Sequence, residues 1–136
     1  MVCIYCGSKT VTANSRTKAR NNTTWRRRKC LECGAVVTTV EQIERALAIT
    51  CKDNVGHLEP FSRDKLYISV HRSLKHRKDA IPAASGLTDT ILAKLTARLQ
   101  QASLDKQTIT EVTGEVLRRF DKSAAVTYDA YHPLKM

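Results

Sequence analysis

Two pairs of cysteines hold most of the chemistry available to this chain: Cys3-Ile-Tyr-Cys6 and Cys30-Leu-Glu-Cys33, each with two intervening residues and a glycine directly after, Gly7 and Gly34. Two thiolates at that spacing reach one ion from a single tight turn, and two such turns complete a tetrahedral set. The spacing therefore predicts a structural zinc site at Cys3, Cys6, Cys30 and Cys33. The alternatives are two disulfides or four unconnected thiols. The fifth cysteine, Cys51, has no neighbour in sequence and reads as a small apolar residue in a strand.

A second chemistry is electrostatic. The chain of 136 residues carries a formal charge of +10. Residues 1–41 hold eight cations (Lys9, Arg16, Lys18, Arg20, Arg26, Arg27, Arg28 and Lys29) against Glu32 and Glu41, a net of +6. Four of those cations are consecutive, beside Trp25 and just before Cys30. On a strand they alternate between faces, so a partner meets Arg26 with Arg28, or Arg27 with Lys29. Arg16 and Lys18 add charge from the preceding segment. Concentrated charge on a metal-held unit points to a polyanion, most simply nucleic acid.

A weaker constellation surrounds Lys52 to Lys65. Ser62 has the position of a helix N-cap, so backbone donors and a positive dipole end would lie near Lys52, Glu59 and Lys65. These groups suit a phosphate-bearing ligand, but the signal is weak, because a plain cap and surface lysines explain them adequately. His57, His71, His76 and His132 show no ligand spacing. No nucleophile–base arrangement or carboxylate pair argues for catalysis, so the chain is read as a non-enzyme.

These residues require elements to position them. A segment of about 40 residues buries too little apolar surface to fold unaided, so metal would hold the first part together. Val11-Thr12 begins a strand, residues 14–24 read as a polar loop or hairpin tip, Trp25–Lys29 returns, and the β-branched Val36–Val40 forms a third strand. The sum is a small antiparallel zinc ribbon over residues 1–41.

Residues 42–136 read as a second domain, with 42–48 either linking the two or opening the second. Leu47–Lys52 is a strand, Asp53–Gly56 a turn, and His57-Leu58 the return. Apolar periodicity then predicts four helices. The first runs from Ser62 through Leu66, Val70 and Leu74 to about Arg77. After a connection at Ile81–Gly86, Thr88 caps the second, with Ile91, Leu92, Leu95 and Leu99. Thr108 or Thr110 starts the third, with Val112, Val116, Leu117 and Phe120. The fourth runs from Ala124 to Tyr131. The fold class is α+β. No apolar run approaches the ~18 residues of a membrane span, and the N-terminus opens on the first cysteine pair without an export signal. The expectation is a cytoplasmic protein with reduced thiols.

The order of these motifs resembles the NrdR family of bacterial repressors of ribonucleotide reductase genes. Cys3-x-x-Cys6, Asn14-Ser15-Arg16, Arg26-Arg27-Arg28-Lys29-Cys30-x-x-Cys33-Gly34 and Thr38-Thr39-Val40-Glu41 look like its ribbon. Lys52, Glu59-Pro60-Phe61-Ser62-Arg63-Asp64-Lys65-Leu66 and Arg77-Lys78 resemble its ATP-cone. The resemblance implies a ribbon that binds double-stranded operator repeats and a cone that binds ATP or dATP, with the nucleotide setting a homo-oligomeric state. By position it implies Lys52 and Lys65 at phosphates, Glu59 and Ser62 near sugar or phosphates, Thr113 lining the pocket, and Tyr131, or else Tyr128, at the base. Thr50, Asp53, Val36-Val37 and Ala125–His132 depart from the family pattern, marking a divergent member. Two other readings are a zinc-ribbon RNA-binding or ribosome-associated protein with a helical interaction module, and a subunit that docks on the reductase itself.

Overall fold

The structure, a computed structural model, describes residues 1–134. The chain forms two compact units, Met1–Ile43 and Glu44–Met136. It is an α+β protein: an antiparallel ribbon first, then helices with a small sheet.

The first unit is a three-stranded sheet in the order β1 (Thr10–Lys18), β2 (Thr23–Cys30), β3 (Val36–Glu41), with β2 in the middle. Residues 14–18 belong to β1 and not to the expected loop. Their polar side chains carry no strand signal, but in a sheet exposed on both faces backbone pairing to β2 is enough to hold them extended. The turn is confined to a 3-10 turn at Ala19–Asn21, closed by Asn22 in the left-handed region (φ 49°). A bulge at Ala13 shifts the register, so that Thr12 faces Arg28 and Asn14 faces Arg27.

The second unit begins with a short helix α1 (Arg45–Ala48), where Glu44 accepts a hydrogen bond from the Ala46 amide. This shortens the expected strand to β4 (Thr50–Lys52). Asp53 forms the turn by accepting from the Val55 and His57 amides, and β5 (Leu58–Pro60) returns antiparallel. β6 (Ser103–Asp105) then pairs parallel to the other edge of β4. Three residues pairing some fifty positions away leave no periodic trace, and the sequence reading misses them.

Four helices pack in a ring: α2 (Arg63–Ser73) on α3 (Ala80–Thr96), α3 on α4 (Lys106–Phe120), α4 on α5 (Lys122–Tyr131), and α5 back on α2. Val70, Leu74, Ile91, Leu95, Val112 and Leu117 fill the centre and are almost wholly buried. The expected connection at Ile81–Gly86 is the first part of α3. Pro82 sits in the first turn, where an amide would have no helical partner, so its ring breaks nothing. Thr88 is accordingly no cap. It lies mid-helix, fully buried, and donates its hydroxyl to the Ala84 carbonyl at 2.6 Å. Asp105, and neither Thr108 nor Thr110, caps α4, accepting from the Thr108 amide at 2.7 Å.

Candidate functional site

The metal centre is built by two near-identical turns. The Gly7 amide donates to the Cys3 carbonyl at 2.9 Å, and the Gly34 amide to the Cys30 carbonyl at 3.2 Å. Both glycines have positive φ, 75° and 72°, which lets each turn close without a Cβ clash. The Cys3 and Cys30 amides tie the turns across to Ser8 and Ala35.

All four sulfur atoms lie within 4.8 Å of one another, and all five cysteines of the chain are free thiols. Cys3 Sγ is 3.7 Å from Cys33 Sγ, and Cys6 Sγ is 3.4 Å from Cys30 Sγ. Four sulfurs each ~2.3 Å from one zinc ion lie roughly 3.8 Å apart in a tetrahedron, so the cage has the right size. The Tyr5 amide also points at Cys3 Sγ at 3.4 Å, a donor suited to a thiolate. The Ser8 amide and hydroxyl pull the Cys6 thiol down to about 6. At Cys33 the Ala35 amide acts in the same lowering sense, yet lost hydration and the three neighbouring thiols push it up to about 12. Four sulfurs this close resist sharing negative charge unless a cation lies among them. The four cysteines fit zinc in a ribbon.

The sheet above the metal turns has two unlike faces, because residues paired across strands share a side. Arg26 and Arg28 lie on one. Arg26 is held by Ser15 Oγ at 3.1 Å and by Glu41 at 3.2 Å, and Arg28 Nε is buried with no hydrogen-bond partner among the described residues. Trp25, Arg27 and Lys29 lie on the other, where β1 adds Arg16 opposite Trp25 and Lys18 opposite Thr23. The six cations expected to meet a partner are thus divided, with Arg16, Lys18, Arg27 and Lys29 on the face of Trp25.

A cavity of about 380 Å³ opens in the second unit. Lys52, Glu59, Ser62 and Lys65 line it, brought together from β4, β5 and the start of α2. Ser62 caps α2, accepting from the Lys65 amide at 3.2 Å, while Lys65 Nζ reaches Glu59 at 3.4 Å. Lys106, at the first position of α4, lies on the same wall. The cavity is therefore bordered by the N-termini of two helices, by three lysines and by the carboxylates of Asp53 and Glu59, a lining whose helix ends and lysines favour negative charge. The sequence reading misses Lys106, whose only signal is its place after the capping Asp105.

Thr113 and Tyr131 do not line this cavity. Thr113 is fully buried beneath it, its hydroxyl donated to the Ile109 carbonyl at 2.7 Å. Tyr131 is 75% exposed and borders a neighbouring hollow with Asn54 and Gln107, because it points away from the helix face that packs on α2 and α4. The aromatic wall is formed instead by Tyr128, stacked on His132 with ring centroids 4.3 Å apart. Burial pushes the Tyr128 phenol up, with the nearby Thr113 and Thr110 hydroxyls pulling the other way. Thr113 thus lies behind the lining, against Ile109 and Tyr128. His132 holds its place by Ser69 Oγ, 3.2 Å from Nε2, and by the Tyr128 carbonyl, 3.2 Å from Nδ1.

Residues 1–41 match the family model described as the N-terminal domain of NrdR-like transcriptional repressors. The protein named Transcriptional repressor NrdR from Symbiobacterium thermophilum is 33% identical over 132 residues, covering 94% of this chain and 84% of that one. The chain belongs to the NrdR family. Transcriptional repressor NrdR 3 of Paramagnetospirillum magneticum is 34% identical, with 94% and 83% covered, and Transcriptional repressor NrdR of Azorhizobium caulinodans 33%, with 94% and 73% covered. The match runs through both units of this NrdR-family chain and not through the ribbon alone. Among its described residues no helix is long and apolar enough to cross a membrane.

Proposed function

We propose that this chain is a zinc-dependent transcriptional repressor whose ribbon binds duplex DNA and whose second unit binds an adenine nucleotide, ATP or dATP. Cys3, Cys6, Cys30 and Cys33 hold the ion, and the four thiols within 4.8 Å of one another support that reading. Arg16, Lys18, Arg27 and Lys29 meet phosphates, while Arg26 and Arg28 brace the sheet from behind. The relatives are named transcriptional repressors, which supports DNA as the polyanion. Ribonucleotide reductase genes are the proposed target, on family membership.

The cavity carries the nucleotide reading. Lys52, Lys65 and Lys106 surround two helix N-termini in a space of about 380 Å³, within the ~300–1,000 Å³ usual for small-molecule sites. Phosphates lie against the lysines, Lys65 leaving Glu59 to reach them, and Tyr128 with His132 forms the wall for the base. Binding that alters how copies of the chain assemble would set the spacing between ribbons and so the grip on repeated DNA sites.

The test is a melting experiment on the zinc-loaded protein with ATP, dATP and GTP. Adenine nucleotides raise the melting temperature of the helical unit, and Lys106→Ala abolishes most of the rise at equal nucleotide. An unchanged transition with every nucleotide ends the cone reading. Light scattering with each nucleotide then reads the assembly. Anisotropy with a DNA duplex against single-stranded RNA decides the polyanion, and preference for RNA would favour the ribosome-associated reading.

A further inference from the structure

The cationic face of the ribbon carries one group that phosphate attraction leaves unused. Trp25 is the single tryptophan of the chain and lies in the middle strand, 41% exposed. Its register partners are Arg16 on β1 and Val40 on β3, and Lys18 Nζ stands 3.8 Å from its ring centroid. Beside it opens a hollow of about 410 Å³, lined with Asn14, Arg16, Lys18, Arg27 and Thr38. Among the described residues no carboxylate borders this hollow; Glu41 is turned to the opposite face, holding Arg26.

The chemistry of this hollow is specific. Three cations without a counter-charge attract an anion, but an ion alone would leave the indole in water. A sugar–phosphate unit has both parts: an anionic group for the guanidinium groups and an apolar ring edge for the indole. Lys18, stacked on the ring in the free protein, is long enough to slide to the phosphate and vacate the ring face.

We propose that this hollow seats one sugar–phosphate unit of a DNA strand, its phosphate between Arg16 and Arg27 and its deoxyribose packed on Trp25. This rests on the reading of the ribbon as the DNA-binding unit. Trp25 supplies an uncharged share of the affinity that salt does not screen. The contact is blind to sequence, so a mixed-sequence duplex is a sufficient probe.

The experiment uses the full zinc-loaded chain, a labelled mixed-sequence duplex followed by anisotropy, and the emission of the lone tryptophan. At saturation the emission changes and becomes shielded from acrylamide. Trp25→Leu binds about tenfold more weakly with the salt slope unchanged. Arg27→Ala lowers the slope by about one. Trp25→Phe keeps most of the affinity, and zinc content measured on each variant identifies any that has lost the ribbon. Duplex binding with emission and quencher access unchanged overturns the seat, even if Trp25→Leu fails to fold, and leaves the DNA reading intact. Absence of duplex binding at low salt overturns both.

Discussion

At the scale of single residues, neighbouring side chains of one type do unlike work. Arg26 and Arg27 are adjacent in sequence, yet the strand turns them to opposite faces, and among the described residues only Arg26 is paired, with Glu41 at 3.2 Å. A charge already compensated releases few counterions on binding. Arg26→Ala should therefore leave the salt dependence of duplex affinity nearly unchanged, whereas Arg27→Ala flattens it by about one phosphate contact; titrations at several salt concentrations separate the two. Equal slopes for both variants would remove the two-faced account of the sheet. The cysteines differ similarly. Cys3 and Cys30 are buried, Cys6 and Cys33 exposed, although all four face one point.

At the scale of elements, the ends of helices carry the joints of the second unit. Asp121 lies between α4 and α5, accepting from the Ala124 amide at 3.1 Å and meeting His76 Nε2 at 3.0 Å and Arg77 at 3.1 Å. Arg77 continues to Asp79, which precedes α3. Asp121, with Arg77 and Asp79, thus ties the α4–α5 junction to the segment between α2 and α3. His76, the Ala124 amide and Arg77 together hold the Asp121 carboxyl well below the usual carboxylate range. A depressed folded-state pKa contributes stability above the unfolded value of ~3.9, and that stability fades as pH falls below it. Asp121→Asn should accordingly melt at a lower temperature than the parent at neutral pH. The gap should close on acidification below about pH 4, as read by thermal melts across pH. A gap constant from neutral to acid would show that the charge of Asp121 contributes nothing. Within the helix ring, Leu117 is fully buried, and Leu117→Ala should cost about 2–5 kcal/mol in denaturant unfolding by leaving a cavity among packed neighbours.

At the scale of the whole molecule, the two units are held together by different forces. The apolar core runs from Ile49 to Tyr128 and lies entirely in the second unit. In the ribbon the buried side chains are Cys3, Cys30 and Thr23, too few to fold forty residues without a cross-link. Chelation, or Cys30→Ser, should therefore release zinc and unfold Met1–Ile43 while Glu44–Met136 keeps its cooperative transition; circular dichroism with a zinc-binding dye follows both events. A ribbon that stays ordered without metal would contradict the account.

The metal turns, the alternation of charge on β2 and the apolar faces of the helices were legible because each depends on spacing within a few residues. Ser62 was legible as a cap for the same reason. Some local boundaries escaped, such as the start of α3 at Ala80 and the Asp105 cap of α4, and so did several features that depend on a distant partner. The polar run Asn14–Lys18 is a strand only because β2 lies beside it, and Ser103–Asp105 only because β4 does. Lys106 joins Lys52 and Lys65 only when β6 delivers α4 to that end of the ring, and Tyr128 replaces Tyr131 at the wall because packing against α2 and α4 decides which way α5 turns. Local spacing determines where a thiol, a cap or an apolar stripe stands along its own element. Which elements meet, and hence which side chains share a cavity, is decided by burial across the whole unit, since the free energy of that burial belongs to no single segment.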